Sequence, residues 1–391
     1  MSLAASDIST SIPQPLPQVR QKVVFVISSL RGGGAERVVV NWINYWKDQH
    51  DVYLILFEKL DQYGDFLGIP AERIICLAKK NRWDIAGLMG RLRKSIRGIQ
   101  PDFVISFLMY TNILAVASTR WMKRSFQLII NERIYPPTYF ADMSWGSLRK
   151  FFLKWSYGQA DRVLSNSKMT RDALVKNYGV PSSKTAVIYN PIDLDLVNRL
   201  KEESVMHPFF DMKDAKVILA IGRLRRQKRF DILLEAVAAA VEKNLYVIIL
   251  GEGPLENDLK TLVKKLDLEN RVSFAGFQKN PYAWLFRADL FVLSSDYEGF
   301  PNALLEAMAC GTLVISTNCP SGPSEILING VNGMLVPTAD AKALAGTISH
   351  VLFNRELKKR LVQNALETVK DYRLEKIIQQ YAELLFNKEN V

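Results

Sequence analysis

The sequence is poor in histidine and cysteine and has no long hydrophobic run. Its 391 residues include three His and three Cys, and no two cysteines form a Cys-x-x-Cys pair. Three scattered cysteines argue against a disulfide framework and a structural zinc site, and they fit a reducing cytoplasm. No stretch approaches about 18 uninterrupted apolar residues, so we expect no membrane-spanning helix. With so few histidines, we expect the chemistry to depend on other side chains.

The rest of the composition is that of an ordinary globular protein. The chain is 48% hydrophobic and 23% charged, which excludes a disordered or collagen-like protein. Its 391 residues exceed the roughly 250–300 that share one hydrophobic core, so we expect two domains. The start of the chain carries Ser, Pro and Gln without an apolar segment, and residues 1–20 are therefore predicted to be a flexible leader rather than a signal peptide.

Positive charge is in excess and unevenly distributed. The whole chain has a net charge of +11. Up to Asn190 there are 26 Lys and Arg residues against 14 Asp and Glu residues, whereas from Pro191 onward there are 25 against 26. The N-terminal half therefore carries the whole excess, and a basic surface of this kind suits an acidic partner.

Short apolar runs alternate with longer amphipathic segments, a pattern typical of α/β units around parallel sheets. The runs of the C-terminal half are almost continuously hydrophobic, as in strands buried on both faces. The predicted strands are Lys22–Ser28, Asp51–Phe57, Phe103–Phe107, Leu128–Asn131, Arg162–Ser165, Lys216–Ile221, Tyr246–Leu250, Val272–Ala275, Leu290–Leu293 and Leu313–Ser316.

The boundary between the two domains is predicted near Asn190. The strand-like run Ala186–Tyr189 stops at Asn190-Pro191, and proline disfavours helix at the residue before it. We expect two Rossmann-like, doubly wound domains of residues 21–190 and 191–391, with a cleft between the carboxyl ends of their strands. The last helix is allowed to cross back onto the first domain.

The first motif is the glycine-rich turn Gly32-Gly33-Gly34, which follows the first predicted strand and opens a helix. Glycine lets a ligand approach the backbone closely. The helix N-terminus directs free N–H groups and the positive end of its dipole at an anion such as a diphosphate. The alternative is an ordinary tight turn between a strand and a helix.

The second motif, residues 223–229, follows the first predicted strand of the C-terminal half and holds five cations in seven positions. So many like charges repel one another unless several of them face a polyanion. Arg223 and Lys228 can clamp phosphate oxygens, and a metal would then be unnecessary. The alternative is a solvated basic loop.

The third motif runs from Ser294 to Gly311 and contains the carboxylates Glu298 and Glu306. Pro301 suits the first position of a helix and Gly311 the position just past its end. Two carboxylates, one before the helix and one inside it, suit two sets of sugar hydroxyls. Taken alone, Glu306 also fits a surface helix, and Glu298 a residue that stabilises the helix dipole.

These motifs occur in order over nearly the whole chain, together with Gly251-Glu252-Gly253-Pro254 and Gly322-Pro323-Ser324-Glu325. The ordered set resembles the retaining glycosyltransferases of family 4, which have the GT-B fold of two Rossmann-like domains. The resemblance implies a nucleotide-sugar substrate, with UDP as the favoured nucleotide, and neither a cofactor nor a metal. Asp193-Leu194-Asp195 is formally a metal-binding D-x-D, but it precedes a helical pattern and is predicted to cap that helix.

The resemblance also implies roles for individual residues. Arg223 and Lys228 would hold the diphosphate, and Glu306 would bind the ribose hydroxyls. Glu298 would contact the donor sugar near its reacting carbon, so Glu298, Arg223 and Lys228 are the expected catalytic residues. Backbone groups of both domains would complete the donor site: Gly33, Gly34, Gly299, Phe300 and Pro301.

One position departs from the family pattern. Where many relatives have a histidine near the donor sugar, this chain has Asn131-Glu132-Arg133. Arg133 is expected to bind a donor or acceptor anion. Alternatively, the backbone-orienting role that this position usually has in the family is absent here. Asn131 and Glu132 are neighbouring candidates for contact with the donor sugar or the acceptor. The histidines lie outside every motif and are expected to be structural or exposed: His50, His207 and His350.

Two segments of the basic half, Lys79–Arg97 and Trp145–Tyr157, mix Lys and Arg with aromatic and aliphatic residues at helical spacing. Basic amphipathic helices with aromatic faces bind anionic membrane surfaces. The alternative, given equal weight, is that their apolar faces pack in the core. In this family the N-terminal domain usually handles the acceptor, so the charge of that half favours a lipid diphosphate acceptor.

The first interpretation is a retaining, metal-independent hexosyltransferase. It would move a hexose or N-acetylhexosamine from a UDP-sugar to a lipid-linked saccharide, in surface polysaccharide or glycoprotein glycan assembly, while bound peripherally to the inner face of the cell membrane. A second interpretation is a soluble GT-B transferase that makes a small glycoside. A nucleic-acid-binding protein ranks lowest because no recognised nucleic-acid motif accompanies the charge.

Overall fold

The structure is a computed structural model that describes residues 20–31, 33–59, 64–141 and 146–386. The predicted leader, apart from Arg20, lies outside these residues, as does Trp145. Within the described part of the chain the strands form two parallel sheets, one of seven strands and one of six. The predicted α/β architecture of two Rossmann-like domains is confirmed.

The first sheet has the strand order β3-β2-β1-β4-β5-β6-β7. Strands β2 and β3 are therefore added on one side of β1, and β4 to β7 on the other side. Apart from Lys22, every residue of β1 is buried, and Lys22 pairs in parallel register with Asp51 of β2. The strands are β1 Lys22–Ile27, β2 Asp51–Leu56, β3 Ile74–Cys76, β4 Phe103–Phe107, β5 Gln127–Glu132, β6 Arg162–Ser165 and β7 Thr185–Val187. The helices are α1 Gly34–Trp46, α2 Ile85–Ile99, α3 Met109–Thr119, α4 Pro136–Ala141, α5 Gly146–Gln159 and α6 Lys168–Tyr178.

Two short helices, α7 Leu194–Leu200 and α8 Pro208–Asp211, connect the sheets. The Asp193 carboxylate accepts a hydrogen bond of 2.8 Å from the backbone N–H of Leu196. Asp193 is therefore the N-cap of α7, which confirms the predicted capping role of the D-x-D sequence. His207 caps α8 in the same way, since its Nδ1 accepts from the backbone N–H of Phe209.

The second sheet repeats the arrangement with the order β10-β9-β8-β11-β12-β13. Its central strands are almost wholly apolar and buried, as expected for parallel strands covered by helices on both faces. The strands are β8 Lys216–Ile221, β9 Leu245–Leu250, β10 Val272–Gly276, β11 Leu290–Leu293, β12 Leu313–Thr317 and β13 Met334–Val336. The helices are α9 Phe230–Ala239, α10 Glu256–Lys265, α11 Pro281–Arg287, α12 Asn302–Ala309, α13 Pro323–Ile326, α14 Ala341–Leu352 and α15 Arg355–Val369.

The last helix, α16 Leu374–Phe386, leaves the second domain and packs on the first. Its Ile377, Ile378 and Tyr381 side chains belong to the buried cluster around β1 and α1. The Tyr381 ring lies with its centroid 3.8 Å from that of Trp42. The core of the first domain is therefore built from both ends of the chain.

No helix in the described residues is long and apolar enough to cross a membrane. His50 is buried beside Trp46, whereas His350 is exposed on α14. Cys310 and Cys319 are buried and unpaired.

Candidate active site

The candidate site lies where the carboxyl ends of the two sheets face each other. In a parallel sheet the loops that follow the strands converge at this edge. The loop after β8 carries Arg223 and ends in a 3-10 turn at Arg226–Lys228, and the loop after β11 carries Glu298. Across the cleft stands the N-terminus of α1. The topology thus brings together the three sequence motifs.

Helix α12 begins close to its predicted position. Pro301 is the residue before the first helical residue, one place earlier than expected, and Gly311 follows the helix with a φ of +76°. A glycine in this left-handed conformation ends a helix without the steric penalty that other residues incur. Glu298 therefore precedes the helix, and Glu306 lies inside it.

The Lys228 ammonium and the Glu298 carboxylate form a nearly buried ion pair, with 2.7 Å between Nζ and Oε1. The Ser295 hydroxyl donates to the same carboxylate oxygen at 2.6 Å. A carboxylate has about four lone-pair sites, so this one retains acceptor capacity for further hydroxyl donors. The pair places a cation and an acceptor side by side.

Arg223 reaches from the second domain to the first. Its Nη2 donates to the carbonyl oxygen of Arg31 at 2.5 Å and lies 3.4 Å from Oε1 of Glu36, in the first turn of α1. Glu36 is only 7% exposed, and this burial raises the pKa of its carboxyl group. A cation that faces both domains is well placed to bind an anion between them.

Glu306 is 5% exposed, which argues against the interpretation of a surface helical residue. It forms an ion pair with Arg37 of α1, across the cleft. The same Arg37 nitrogen lies 3.3 Å from the hydroxyl of Tyr282. Charged groups of the two domains are therefore in direct contact at the site.

Two glycines permit close contact between the domains. A Cβ atom at Gly299 would overlap the backbone carbonyl of Arg133, and one at Gly34 would lie 2.8 Å from Nδ2 of Asn302. That Asn302 nitrogen donates to the Gly34 carbonyl at 3.1 Å, and Asn302 Oδ1 accepts from Asn190 at 2.6 Å. A larger residue at Gly299 would push the backbone of the first domain away, whereas one at Gly34 would force the Asn302 side chain to move.

The remaining predicted donor-site residues lie at the same edge. Gly33 has an extended backbone and is the N-cap of α1. Phe300 is 6% exposed and packs its ring against Tyr189 and Tyr372, at centroid distances of 5.6 and 5.7 Å. Its side chain therefore belongs to the core, and only its backbone is available to a ligand.

The side chains of Asn131 and Glu132 are fully buried. The Glu132 carboxylate accepts hydrogen bonds from the backbone N–H groups of Arg133 and Ile134 and from the hydroxyl of Tyr157, at 2.9, 3.0 and 2.5 Å. Burial nevertheless raises its pKa. Glu132 thus fixes the backbone turn that follows β5.

Arg133 presents its carbonyl, not its side chain, to the second domain. The guanidinium carbon lies 5.2 Å from the ring centres of both Trp42 and Phe107, and Nη1 bonds to Asn190. Burial lowers the pKa of this guanidinium. The group of Arg133 that lies beside Gly299 is its backbone oxygen, and anion binding by its side chain stays a prediction.

Sequence reasoning missed several residues that join the domains. Besides Glu36, Arg37 and Asn302, these include Glu325, whose carboxylate accepts from the backbone N–H groups of Lys168 and Met169 at 2.8 and 3.1 Å. A carboxylate of the second domain thus caps α6 of the first. The sequence did carry signals near them: Glu36 and Arg37 directly follow the glycine-rich turn, Asn302 lies in the third motif, and Glu325 ends Gly322-Pro323-Ser324-Glu325. In the described residues, no three His, Cys, Asp or Glu side chains lie together as a metal site.

Two sequence families match the chain. Residues 32–196 match the family described as Glycosyltransferase Family 4, and residues 206–368 match Glycosyl transferases group 1. One relative is the N-acetylgalactosamine-N,N'-diacetylbacillosaminyl-diphospho-undecaprenol 4-alpha-N-acetylgalactosaminyltransferase of Campylobacter jejuni. It is 31% identical over 90% of this chain and 96% of its own.

A second Campylobacter jejuni relative, a GalNAc-alpha-(1->4)-GalNAc-alpha-(1->3)-diNAcBac-PP-undecaprenol alpha-1,4-N-acetyl-D-galactosaminyltransferase, is 28% identical over 94% of this chain and 99% of its own. Among solved structures, Anabaena HepE in complex with UDP-glucose superposes with a TM-score of 0.79 at 21% identity, covering 94% of this chain and 99% of the other. The match over nearly the full length of the first relative, together with the facing Rossmann-like domains, shows that the chain belongs to glycosyltransferase family 4 and is a glycosyltransferase of the GT-B fold.

Proposed function

We propose that the protein is a retaining transferase that moves a hexose or N-acetylhexosamine from a UDP-sugar to a hydroxyl of a lipid-linked saccharide. The observation that carries the proposal is the set of four charged residues at the interdomain edge: Arg223, Lys228, Glu298 and Glu306. Cations for a diphosphate stand beside acceptors for hydroxyls, which is what a nucleotide-sugar requires.

The donor would lie along the edge of the second sheet. Its diphosphate would sit between Arg223 and Lys228, close to the N-terminus of α1, where free backbone N–H groups favour an anion. Its sugar would meet Glu298, which is held next to Lys228. Since an incoming phosphate competes for the same ammonium, donor binding would loosen that ion pair and release acceptor sites on Glu298.

The reaction breaks the bond between the sugar's anomeric carbon and the β-phosphate oxygen, and the electron pair stays on the phosphate. The acceptor oxygen bonds to the anomeric carbon on the same face, and its proton passes to the departing phosphate. Arg223 and Lys228 stabilise the negative charge that develops on the leaving group, which lowers the barrier. The step needs neither an enzymic base nor a metal.

Uridine is favoured as the base because the structural neighbours HepE were solved with UDP and UDP-glucose. The test is thermal stabilisation by UDP, GDP and their sugars, since a ligand that binds only the native state raises its stability. We expect about 3 kcal/mol of stabilisation from UDP at roughly 100 times its Kd. Stabilisation by GDP alone would contradict the assignment of the base.

The acceptor is proposed to be lipid-linked because the two Campylobacter jejuni relatives are named for undecaprenol-linked saccharides. The first domain also presents apolar side chains to solvent: Trp83 is 75% exposed, Trp121 73% and Phe151 63%. Arg82 lies over the ring of Trp83, and Arg120 over that of Trp121, at 4.8 and 5.8 Å from the ring centres. Paired aromatic and basic side chains are suited to a membrane interface.

The core interpretation of the basic segments holds for part of their residues, and the membrane interpretation concerns the exposed ones. Helix α2 buries Leu88, Leu92 and Ile96 in the core, and α5 buries Leu153 and Tyr157. The exposed aromatic residues belong to or flank the layer of α2, α3 and α5, which pack side by side. We propose that the outer face of this layer binds the inner face of the cell membrane peripherally.

Co-sedimentation with phosphatidylglycerol vesicles tests this surface. We expect salt-sensitive binding that falls at least tenfold in a Trp83→Ser, Phe151→Ser variant, because each buried aromatic side chain contributes favourable transfer energy. The matched control is Met206→Ser, which alters a 92% exposed apolar residue of the C-terminal half. Equal vesicle binding by wild type and both variants would contradict the proposed membrane-binding face. If the wild-type protein does not bind vesicles at all, a transferase that makes a small glycoside is favoured. Binding to RNA or DNA in place of vesicles would favour the nucleic-acid interpretation.

A further inference from the structure

Glu306, a nearly buried carboxylate of the second domain, forms an ion pair with Arg37 of the first domain. The side chain of Glu306 is 7% exposed and that of Arg37 21%. Arg37 approaches Oε1 of the carboxylate, and the same nitrogen contacts the Tyr282 hydroxyl. The guanidinium carbon also lies 5.7 Å from the centre of the Tyr282 ring. One arginine thus bridges two groups of the opposite domain.

A buried carboxylate without a cation or hydrogen-bond donor is costly, so the contact with Arg37 offsets the cost of burying Glu306 in this position. The contact from Nη1 of Arg37 engages one carboxylate oxygen, Oε1. A carboxylate has about four lone-pair sites on two oxygens, which leaves capacity for two hydroxyl donors. Arginine and a pair of hydroxyl groups can therefore share the same carboxylate.

The position of α1 is itself fixed from the second domain. Asn302, four residues before Glu306 on α12, donates to the Gly34 carbonyl at 3.1 Å, three residues before Arg37. Contact between the helices at both places sets the distance between Arg37 and Glu306. The orientation of the carboxylate is thus a property of the docked pair of domains and not of α12 alone.

We propose that Arg37 is a positioning residue for donor recognition: it holds the Glu306 carboxylate in the orientation that accepts the two ribose hydroxyls. The inference rests on the proposed function, in which Glu306 binds the ribose. It adds that the N-terminal domain selects the ribose of the donor through Arg37, without touching the ribose itself. Selection for ribose then requires that the two domains be docked.

The test compares UDP with 2′,3′-dideoxy-UDP by isothermal titration calorimetry, on the full-length protein. Wild-type protein is expected to prefer UDP at least tenfold. Arg37→Met should weaken UDP binding about tenfold, which is the lower end of the effect of hydrogen bonds to charged groups, and leave dideoxy-UDP binding unchanged. Arg37→Lys, which retains one cationic donor, should recover part of the preference. Arg97→Met, which removes an exposed arginine of α2, is the control.

The comparison of nucleotides separates positioning from a general structural role. Equal losses for UDP and dideoxy-UDP in Arg37→Met, or UDP binding as tight as in wild type, would overturn the inference. Tighter UDP binding would also overturn it, because Arg37 would then compete with the ribose. Tyr282→Phe gives a second, milder variant that keeps the ion pair, with an expected loss of about threefold for UDP alone.

Glu306→Gln separates this inference from the function on which it rests. If wild type prefers UDP and Glu306→Gln does not, Glu306 binds the ribose, and a full preference in Arg37→Met then overturns the role of Arg37 alone. If wild type binds both nucleotides equally, the assignment of Glu306 and the inference are overturned together.

Discussion

The two domains share one architecture and use charge in opposite ways. The first has 26 basic residues against 14 acidic ones up to Asn190, and two of its buried charges, Glu132 and Arg133, serve its own interior. The second is nearly neutral, yet its buried acids, Glu298 and Glu306, face the cleft. Net charge therefore says little about chemistry. A few charged residues at one sheet edge form the proposed donor site of the second domain. The large excess of positive charge lies on the first domain, which contributes mainly backbone groups and α1 to that edge.

The sharpest test of this contrast is Glu298→Ala in the second domain. Removing the acceptor that we propose to contact the donor sugar should lower kcat by about 10³-fold, the upper range for loss of one preorganised hydrogen-bonding group. Glu269→Ala, at an exposed position of the same domain, serves as the control. Turnover of the sugar donor would be measured together with the thermal midpoint, and near-normal turnover would remove Glu298 from the active site.

The next largest effect is expected in the core of the first domain. Tyr381→Ala on α16 removes a ring packed against Trp42 and a hydroxyl that donates to Asn131 at 2.5 Å. Loss of a buried aromatic side chain should lower the free energy of unfolding by about 3 kcal/mol. Chemical denaturation measures this, with Gln380→Ala on the exposed face of α16 as the reference. Equal stability of the two variants would show that α16 is dispensable to the first domain.

Lys228→Ala tests whether the basic loop of the second domain binds phosphate. Loss of one charged hydrogen-bonding partner should weaken UDP binding by about 30- to 100-fold. Arg226→Ala alters an exposed cation of the same turn and should change affinity less than threefold if the site is specific. Similar losses in both variants would instead indicate a diffuse basic surface.

The smallest expected effect is that of metal removal. Because Arg223 and Lys228 are proposed to supply the positive charge for the leaving group, activity in EDTA should stay within about twofold of the untreated enzyme. Initial rates with and without added Mg²⁺ or Mn²⁺ measure this. Strict dependence on either ion would contradict the proposed mechanism.

Local sequence patterns predicted the fold because parallel strands are marked by compact apolar runs. The two strands missed, Ile74–Cys76 and Met334–Val336, are three residues long and lie at sheet edges, where neither length nor periodicity marks them. The helix before Gly311 and the cap at Asp193 were predictable because the signals for helix ends are local.

The site was only partly accessible to the same reasoning. The glycine-rich turn and the two glutamates stand beside their strands and helices, so their place at the cleft followed from topology. The direction of the Arg133 side chain did not, because it depends on Trp42, Phe107 and Asn190, which are distant in sequence. The ion pair of Arg37 and Glu306 joins residues 269 positions apart, a relation that no local pattern contains.

The return of α16 to the first domain has a consequence for synthesis on the ribosome. The first sheet is complete at Val187, but the helix that covers Trp42 and Trp46 ends only at Phe386. At about 5–20 residues per second, the emerging domain waits on the order of 10–40 s with these tryptophans uncovered. The first domain therefore cannot complete its folding before the end of α16 has been synthesised. An isolated N-terminal fragment would need α16, supplied in trans or fused to it, to bury Trp42 and Trp46.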